Sequence, residues 1–398
     1  MSEPRKPRHS AVPEVWRAAI LQAVDARATR ALELARWMAA HPELSLEEHA
    51  TSARYVAELG AQGFAIERNV AGMETAFLAR HGTETAPFCV ALLAEMDALP
   101  GIGHACGHNL SGPASILAAE AIASALPPDA VRLLVVGSPA EETGVGKKAL
   151  VDAGIFAEAD AAMMAHASDM RRAHRLFLGN RKFEFVYQGR AAHAAAYPER
   201  GINALDGVIS LFVNVGLLRQ QLPRGVRVHG IVSDGGEAPN IIPERAAARF
   251  WVRALMDDEL ADAAMRLVLC AEGAAAGTGT RLSVNEQVGS SPPMRANLPL
   301  ADTYRRQLDA LDLPETAHAP SESIGSSDIT HISRVLPTIH PNFPIGSNLQ
   351  LHTREFAEAT GRPMGEEGLL EAARALALTI AELAAAPSIR AEVRDADR

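Results

Sequence analysis

The amino-acid sequence predicts an α/β protein in which a mostly parallel sheet flanked by helices carries a smaller, inserted ferredoxin-like α+β domain. The first third of the chain alternates helical segments with continuous apolar ones, an order typical of a parallel sheet covered by helices. A later stretch has the order strand, helix, strand, strand, helix, strand, which is typical of ferredoxin-like domains. The chain of 398 residues is long enough for two or three domains, or for one large domain with an insertion.

The larger domain begins with a helix predicted over residues 15–40, where Ala, Leu and Arg are frequent and Gly and Pro are absent. Continuous apolar runs at 88–93 and 131–136 predict strands that are buried on both faces. A helix over 111–126 lies between them, and residues 161–165 predict a third strand. These elements have the βαβα order of a parallel sheet.

The inserted domain is predicted over residues 180–292, because the pattern changes there to a strand in which apolar and polar residues alternate. Its predicted elements are strands near 183–187, 226–232, 246–252 and 281–288 and helices over 203–221 and 258–275. Residues 1–179 and 293–398 then form the larger, discontinuous domain. That domain ends with a strand at 335–339 and an amphipathic helix around Leu376.

Composition and charge exclude several classes of protein. Hydrophobic residues make up 48% of the chain and charged residues 22%, which are ordinary values for a globular protein. The net charge of −10 disfavours a nucleic-acid partner, and no apolar run reaches the ~18–20 residues of a membrane helix. The N-terminal segment MSEPRKPRHS has no apolar core, so we expect a tail and no secretory signal. Three cysteines, Cys89, Cys106 and Cys270, are too few for a disulfide framework, which favours the cytoplasm.

Polar side chains follow each of the predicted parallel strands. Glu95 and Asp97 come after the first strand, Glu141 and Glu142 after the second, and His166 after the third. In an open parallel sheet, ligands bind outside the carboxyl ends of the strands. We therefore expect these side chains to meet at one edge of the sheet.

The segment Gly103–Asn109 contains a thiol and two imidazoles, at Cys106, His104 and His108. These groups suit zinc and similar divalent ions, although a loop with paired histidines and an unrelated buried cysteine is an alternative interpretation. The adjacent carboxylates Glu141 and Glu142 would repel each other after a buried strand unless a cation were present. One could then bind the ion while the other takes a proton from water.

Several other polar residues have no assignment from spacing alone. A lone histidine such as His166, His352 or His193 is more often a core or surface residue than a ligand. Asn240 lies in a loop rich in turn residues, where it could either bind a ligand or cap a turn.

The chain resembles the dinuclear-metal amidohydrolases, a family that includes aminoacylases, carboxypeptidase G, auxin-conjugate hydrolases and aminobenzoyl-glutamate hydrolases. The resemblance covers nearly the whole chain and rests on these motifs: MDALPGIGHACGHN at 96–109, SPAEETGVGK at 138–147, MMAH at 163–166, GRAAHAA at 189–195, GGEAPNIIPE at 235–244 and LHTREF at 351–356. The forms HACGHN, APNIIPE and HTREF most resemble the aminobenzoyl-glutamate utilisation type B and dipeptidase-like branch.

The resemblance implies a set of metal ligands in this chain. The matching positions are Cys106, His108, Glu142, His166 and His352. It implies one or two divalent ions per chain, with zinc, manganese or cobalt as the candidates. The thiolate ligand favours a softer ion such as zinc.

The resemblance also implies roles for residues that do not bind metal. Glu141 matches the general base, and Asp97 matches the acid that orients a ligand. His193 matches a histidine of the lid that stabilises the oxyanion, in many members across a dimer. Asn240 and Arg253 match lid positions that hold the polar or carboxylate end of the substrate.

The function implied is metal-dependent hydrolysis of the amide bond in a small N-acyl or aminoacyl amino acid, such as an aminobenzoyl-glutamate-like conjugate or a dipeptide. Water activated by the metal attacks the carbonyl carbon while Glu141 acts as general base. Residues 180–292 are expected to serve as a lid and as the contact of a homodimer. We expect no nucleic acid and no membrane as partners.

Three alternatives remain at the level of sequence. The site could hydrolyse a different C–N bond, as in an aromatic deamination. The protein could be a metal-binding regulator without activity, because fold does not determine function. Cys106 could also be a nucleophile with His108 or His104 as its base, which would leave the paired glutamates without a purpose.

Two positions depart from the wider family pattern. Asn109 stands where many relatives have Asp, so there is one negative charge fewer near the ions. The sequence therefore does not determine whether one ion or two are bound. Ser327 stands where relatives have Glu, a change we expect to alter the substrate pocket.

Overall fold

The structure is a computed structural model that describes residues 10–317 and 324–396. The predicted N-terminal tail lies, up to residue 9, outside the described residues. None of the helices within the described ranges combines the length and apolar character that a membrane span requires.

Strands and helices alternate along most of the chain. The strands are β1 (Ala65–Arg68), β2 (Phe77–His81), β3 (Cys89–Glu95), β4 (Arg132–Ser138), β5 (Ala161–Met163), β6 (His166–Ser168), β7 (Gly179–Gln188), β8 (Ala192–His193), β9 (Arg227–Asp234), β10 (Ile241–Ile242), β11 (Arg245–Ala254), β12 (Arg281–Glu286), β13 (Thr338–Ile339) and β14 (Asn342–Pro344). The α-helices are α1 (Glu14–Ala40), α2 (His49–Ala61), α3 (His108–Ala125), α4 (Gly146–Asp152), α5 (Ala204–Leu218), α6 (Asp257–Thr278), α7 (Leu298–Ala310), α8 (Ile329–Ile332), α9 (Arg354–Thr360), α10 (Pro363–Ala385) and α11 (Pro387–Asp395).

These elements form two compact units. One unit comprises the described residues 10–175, 295–317 and 331–396, and the other comprises Leu176–Met294 and Ile324–Thr330. The segment Ile324–Thr330 groups with the second unit, although it lies within the range 293–398 that the sequence assigns to the larger domain.

The first unit is built on a mixed sheet with the strand order β1-β2-β4-β3-β5-β13. The pairs β4–β3, β3–β5 and β5–β13 are parallel, whereas β1 and β2 extend one side of the sheet as antiparallel strands. Every residue of β3 is buried, as expected for a strand covered on both faces. Helices α1, α3 and α10 pack together beside the sheet and share its apolar core.

Helix α3 connects β3 to β4 and begins next to the predicted metal-binding segment. Gly107 precedes it with a φ of 84°, and a Cβ at this position would lie 2.5 Å from the Cβ of Ala167. A glycine is therefore required both by the backbone conformation and by the close approach of the neighbouring strand. This requirement explains why glycine stands between Cys106 and His108.

The second unit is a four-stranded antiparallel sheet with the order β12-β7-β11-β9, and α5 and α6 pack against it. With its four main strands numbered in chain order, the sheet has the order 4-1-3-2, so the ferredoxin-like prediction is confirmed. The short pair β8–β10 adjoins the ends of β7 and β11 at Gln188 and Arg245.

Several observed elements were not predicted from the sequence, among them α2, β1 and β2. Strands β1 and β2 lie at the side of the sheet, are short, and give little periodic signal. The strand predicted over 335–339 is confined to Thr338–Ile339, because helix α8 and the turn that follows it occupy the preceding residues.

Candidate metal centre and catalytic residues

The carboxyl ends of three neighbouring parallel strands bring the predicted site residues together. Strand β3 lies between β4 and β5, and the three end at Glu95, Ser138 and Met163. The polar segments that follow therefore emerge at the same edge of the sheet, as predicted from sequence.

A thiol and two imidazoles form the innermost part of the cluster. Ligand atoms of Cys106, His108 and His166 lie within 4.8 Å of one another, and all three residues are buried. The Sγ of Cys106 is 3.6 Å from Nε2 of His166. The Nδ1 of His108 is 2.8 Å from the main-chain oxygen of Asp97 and 3.2 Å from its Oδ1. Asp97 therefore sets the orientation of the His108 ring, which leaves Nε2 directed at the cluster.

The paired glutamates stand in the turn that follows β4. Side-chain atoms of Glu141 and Glu142 lie within 4.8 Å of ligand atoms of Cys106 and His108. The side chain of Glu141 is 12% exposed and that of Glu142 is 7% exposed. Glu141 is therefore accessible to solvent although it lies within the cluster. Oε2 of Glu141 is 3.9 Å from Nε2 of His108.

His352 joins the cluster from a distant part of the chain. Its main-chain N–H donates to the carbonyl of Ala105 at 2.9 Å, and its Nε2 is 3.4 Å from Oε2 of Glu142. The backbone of His352 has a φ of 64°, a conformation that costs free energy for a residue with a side chain. Such outliers concentrate at functional sites, where the surrounding structure stabilises them.

The electrostatics of the cluster favour a cation. Burial raises the pKa of the Cys106 thiol far above its ordinary value and also raises the pKa of Glu142. Although burial lowers the pKa of His108, the negative charge of Glu95 and the hydrogen bond with Asp97 raise it well above its ordinary value. All three shifts retain protons where several acidic groups converge, and a divalent ion would replace those protons.

The residues present fit such an ion. Among the described residues, Oε1 of Glu142 and Nε2 of His108 have no hydrogen-bond partner, although Nε2 lies 3.2 Å from Oε2 of Glu95. A buried polar atom without a hydrogen-bond partner destabilises the fold, and a bound metal ion would supply the missing partner. Thiolate, imidazole and carboxylate together are ligands that zinc and similar ions accept.

The sequence analysis missed three buried polar residues around the cluster. The Nζ of Lys147 lies 2.7 Å from Oε1 of Glu95. The ring of His340 packs against that of His166 with 5.2 Å between centroids and an angle of 33° between the ring planes. Glu48 accepts the N–H of Ala140. No local pattern indicates a buried lysine or glutamate, because charged residues are usually exposed.

In the second unit, the structure places His193 and Asn240 next to each other. Strands β8 and β10 pair His193 with Ile241, and the N–H of Ala194 donates to the carbonyl of Asn240 at 3.0 Å. Both side chains are exposed. Arg253 lies elsewhere in the sheet, where its Nη1 is 3.3 Å from Oγ of Ser326.

The two departures from the family pattern have structural roles. The amide of Asn109 is buried and donates to Oγ1 of Thr360 at 3.2 Å and to the carbonyl of Ala35 at 3.5 Å. An aspartate there could not donate to Ala35. Ser327 lies before α8, where its carbonyl accepts the hydroxyl of Thr330.

The parallel sheet and the clustered thiol, imidazole and carboxylate groups define a metal-dependent hydrolase. Residues 91–382 match peptidase family M20/M25/M40, so the chain belongs to this family. The chain is 34% identical over 389 residues to the Xaa-Arg dipeptidase of Mus musculus, covering 93% of this chain and 89% of the relative. It is 32% identical over 279 residues to a p-aminobenzoyl-glutamate hydrolase component of Escherichia coli (strain K12), covering 65% of this chain and 58% of the relative.

Solved structures agree with the fold. The YXEP protein of Bacillus subtilis, described as a dinuclear metal binding peptidase from the M20 family, matches with a TM-score of 0.71 at 20% identity, covering 90% of this chain and 98% of that one. The comparisons confirm the family resemblance inferred from the motifs. The protein is thus a hydrolase that acts on amide bonds.

Proposed function

We propose that this protein hydrolyses the amide bond of a small N-acyl or aminoacyl amino acid in the cytoplasm, with Glu141 as the general base. One observation carries the proposal. Glu141 lies within 4.8 Å of Cys106 and His108 together with Glu142, yet its side chain is not fully buried. A base in this position can reach both the ligand cluster and a water molecule that enters from solvent.

The ligand set would hold one or two divalent ions. Cys106, His108, Glu142, His166 and His352 supply the donors, and Zn, Mn and Co are the candidate ions. When bound, a divalent ion polarises the carbonyl group and lowers the pKa of water. Asp97 keeps Nε2 of His108 directed at the ligand cluster.

The remaining chemistry belongs to side chains of this chain. Glu141 takes a proton from the attacking water and afterwards delivers it to the nitrogen of the leaving amine. His193 donates a hydrogen bond to the oxyanion, for which its exposed position on β8 leaves it available. Asn240 and Arg253 bind the polar or carboxylate end of the substrate.

The names of two relatives support a substrate class for this protein. One relative is an Xaa-Arg dipeptidase and another is a component of a p-aminobenzoyl-glutamate hydrolase, and both names describe an amide bond to an amino acid. We therefore favour dipeptides and aminobenzoyl-glutamate-like conjugates as substrates. We also propose that residues 180–292 form the lid that covers the bound substrate.

The separation of the second-unit residues supports a homodimer. Arg245 marks the end of β11 that adjoins β8 and β10, and Arg253 lies eight residues further along the same strand, or roughly 26 Å at ~3.3 Å per residue. A dipeptide extends over only about 7 Å. We therefore infer that His193 and Arg253 contact the same substrate molecule from two different copies of the chain.

An exposed apolar stripe offers a surface for that second copy. Ile209, Val213 and Leu217 recur every fourth residue of α5, so they share one face, and they retain 52%, 57% and 69% of their exposure. Exposed apolar residues that form a contiguous surface mark protein–protein contacts.

The three alternative functions predict different properties of the site. A nucleophilic Cys106 would need a lowered pKa, whereas burial raises it. Deamination of an aromatic substrate would use the same base, and it is distinguished by the release of ammonia. A regulator without activity would bind metal and cleave nothing.

A substrate panel with matched variants tests the proposal. Purified protein loaded with Zn, Mn or Co is assayed on alanyl-arginine, alanyl-glutamate, p-aminobenzoyl-glutamate and an indoleacetyl amino acid. Glu141→Gln should retain bound metal and lose at least about 10³-fold in kcat, while Glu142→Gln should lose metal as well. Full activity of Glu141→Gln would contradict the role of this residue, and metal-loaded protein that cleaves none of the panel would favour the regulator.

A further inference from the structure

Glu48 is a buried carboxylate that lies outside every motif of the family resemblance. It has no exposed surface and follows the first helix of the chain, about 90 residues before the paired glutamates. Oε1 of Glu48 accepts the main-chain N–H of Ala140 at 2.9 Å and that of Leu46 at 3.0 Å. Oε2 accepts the hydroxyl of Thr75 at 2.8 Å.

The residue that Glu48 holds has an unfavourable backbone conformation. Ala140 has a φ of 57°, in the left-handed region that residues with a Cβ rarely adopt. It is fully buried and directly precedes Glu141. A conformation of this kind persists only when surrounding interactions stabilise it. The bond from Glu48 to the Ala140 N–H is such an interaction.

The other end of the same turn is held by a second buried carboxylate. Oδ2 of Asp97 accepts the N–H of Glu142 at 2.9 Å and the hydroxyl of Ser45 at 2.7 Å. Glu48 and Asp97 therefore bind the main chain on either side of Glu141. Removing the bond from Glu48 leaves the buried N–H of Ala140 without this acceptor and weakens the constraint on the side of the turn that precedes Glu141.

We propose that Glu48 is a positioning residue, which holds the turn Ala140–Glu142 in the conformation that directs Glu141 at the substrate. The proposal rests on the function proposed above for Glu141. Within the described part of the chain, the Glu48 side chain accepts hydrogen bonds from Ala140, Leu46 and Thr75 and from no member of the ligand cluster. By our inference, Glu48 does not touch the substrate. Its effect on the reaction is transmitted through the main chain of Ala140, and a displacement of the general base by about 1 Å lowers turnover strongly.

The Glu48→Met variant tests the proposal, because methionine keeps the length of the side chain but has no oxygen to accept the N–H of Ala140. Glutamine would not serve, since its one oxygen could keep both main-chain bonds that Oε1 of Glu48 accepts. Glu43→Met is the matched control. Glu43 also accepts two main-chain N–H groups, those of Ala50 at 2.9 Å and Thr51 at 2.8 Å, but these belong to helix α2. Each variant thus loses two main-chain hydrogen bonds in the same part of the chain.

We expect Glu48→Met to lower kcat by about 10- to 100-fold on the best substrate of the panel, with KM changed less than about threefold. Glu43→Met should leave both constants within about twofold. Thr75→Val, which removes only the bond to Oε2, should lower kcat by a smaller factor. The Thr75→Val variant still tests the proposal if Glu48→Met does not fold.

Hydrogen–deuterium exchange provides a readout that does not require activity. Glu48→Met should accelerate exchange in peptides covering residues 139–146, and Glu43→Met should accelerate it only near residues 49–52. Unchanged exchange at 139–146 would overturn the positioning role whatever the enzyme cleaves. Accelerated exchange in a protein that cleaves none of the panel would instead refute the proposed function and leave the structural contact intact. Equal losses of kcat in the two glutamate variants would also overturn the proposal.

Discussion

The Nζ of Lys147 lies 2.7 Å from Oε1 of Glu95, and neither side chain has any exposed surface. Burial alone would raise the pKa of Glu95, but the positive charge of Lys147, followed by that of His108, lowers it below its ordinary value. The carboxylate is therefore ionised, and its Oε2 lies 3.2 Å from Nε2 of His108. A buried ion pair of this kind is costly to break from one side, because the remaining charge has no compensation.

We predict that Lys147→Met lowers the free energy of unfolding by about 3–5 kcal/mol. The double variant Glu95→Gln/Lys147→Met should recover part of that loss, since neither charge then remains buried. The control is Lys148→Met, whose exposed ion pair with Asp152 should contribute less than about 1 kcal/mol. Urea unfolding of the metal-free protein measures all three. Equal effects of the two lysine substitutions would contradict the prediction.

Glu120 should make the protein less stable as the pH rises. Burial, and then the negative charge of Glu58, raise the pKa of Glu120 from 4.5 to about 7. Between these values the folded protein binds more protons than the unfolded chain, so the free energy of unfolding falls with increasing pH, by roughly 3 kcal/mol in total. The stabilising contribution is complete below about pH 4.5 and lost above about pH 7.

The variant Glu120→Gln removes this dependence. It should equal the wild-type protein in stability near pH 4 and exceed it by up to about 3 kcal/mol at pH 8, as measured by urea unfolding at each pH. Other carboxyl groups titrate in both proteins, so the difference between the two is the quantity to compare. Glu33→Gln, at an exposed helical position, is the control. A difference that does not change with pH would contradict the prediction.

Gly146 constrains the turn that carries the paired glutamates. A Cβ at this position would lie 1.7 Å from the carbonyl oxygen of Pro139, a distance that no side chain can accept without movement of the main chain. We predict that Gly146→Ala displaces the turn, lowers kcat by about 100-fold and destabilises the fold by about 1–3 kcal/mol.

The control for this substitution is Gly60→Ala in helix α2. No atom lies within 4 Å of a Cβ at Gly60, and alanine favours a helix by up to about 1 kcal/mol. Activity assays and thermal unfolding of the two variants give the comparison. Normal kcat in Gly146→Ala would show that the turn tolerates the displacement.

Two inactive variants should restore activity to each other. If His193 and Arg253 contact one substrate from different copies, a mixed dimer of His193→Ala and Arg253→Ala chains contains one site with both residues intact. Mixing the two variants and allowing the chains to exchange should recover up to about half of the wild-type activity per mixed dimer. Each variant alone should remain inactive, and analytical ultracentrifugation should detect a dimer. A monomer, or a mixture that stays inactive, would refute the shared site.

Much of the fold was predictable because its elements carry strong local signals. Helix α1 begins and ends within one residue of its predicted range of 15–40, and β3 and β4 lie close to their apolar runs. The order of elements in the second unit is sufficient to predict its ferredoxin-like topology. Strands β1 and β2 could not be predicted, because short strands at the side of a sheet need neither a long apolar run nor strict alternation of apolar and polar residues.

The sequence by itself determined which residue types follow the parallel strands, and the topology of such a sheet makes their meeting a geometric consequence. Glu95, Glu142 and His166 could therefore be predicted to lie at one edge of the sheet, whereas the set of metal ligands came from the family resemblance. Only the tertiary structure decided that Glu48 would hold Ala140 and that Lys147 would balance Glu95. The physical reason is that a buried charge is stable only beside a particular partner distant in sequence, and no local pattern records which partner the fold supplies.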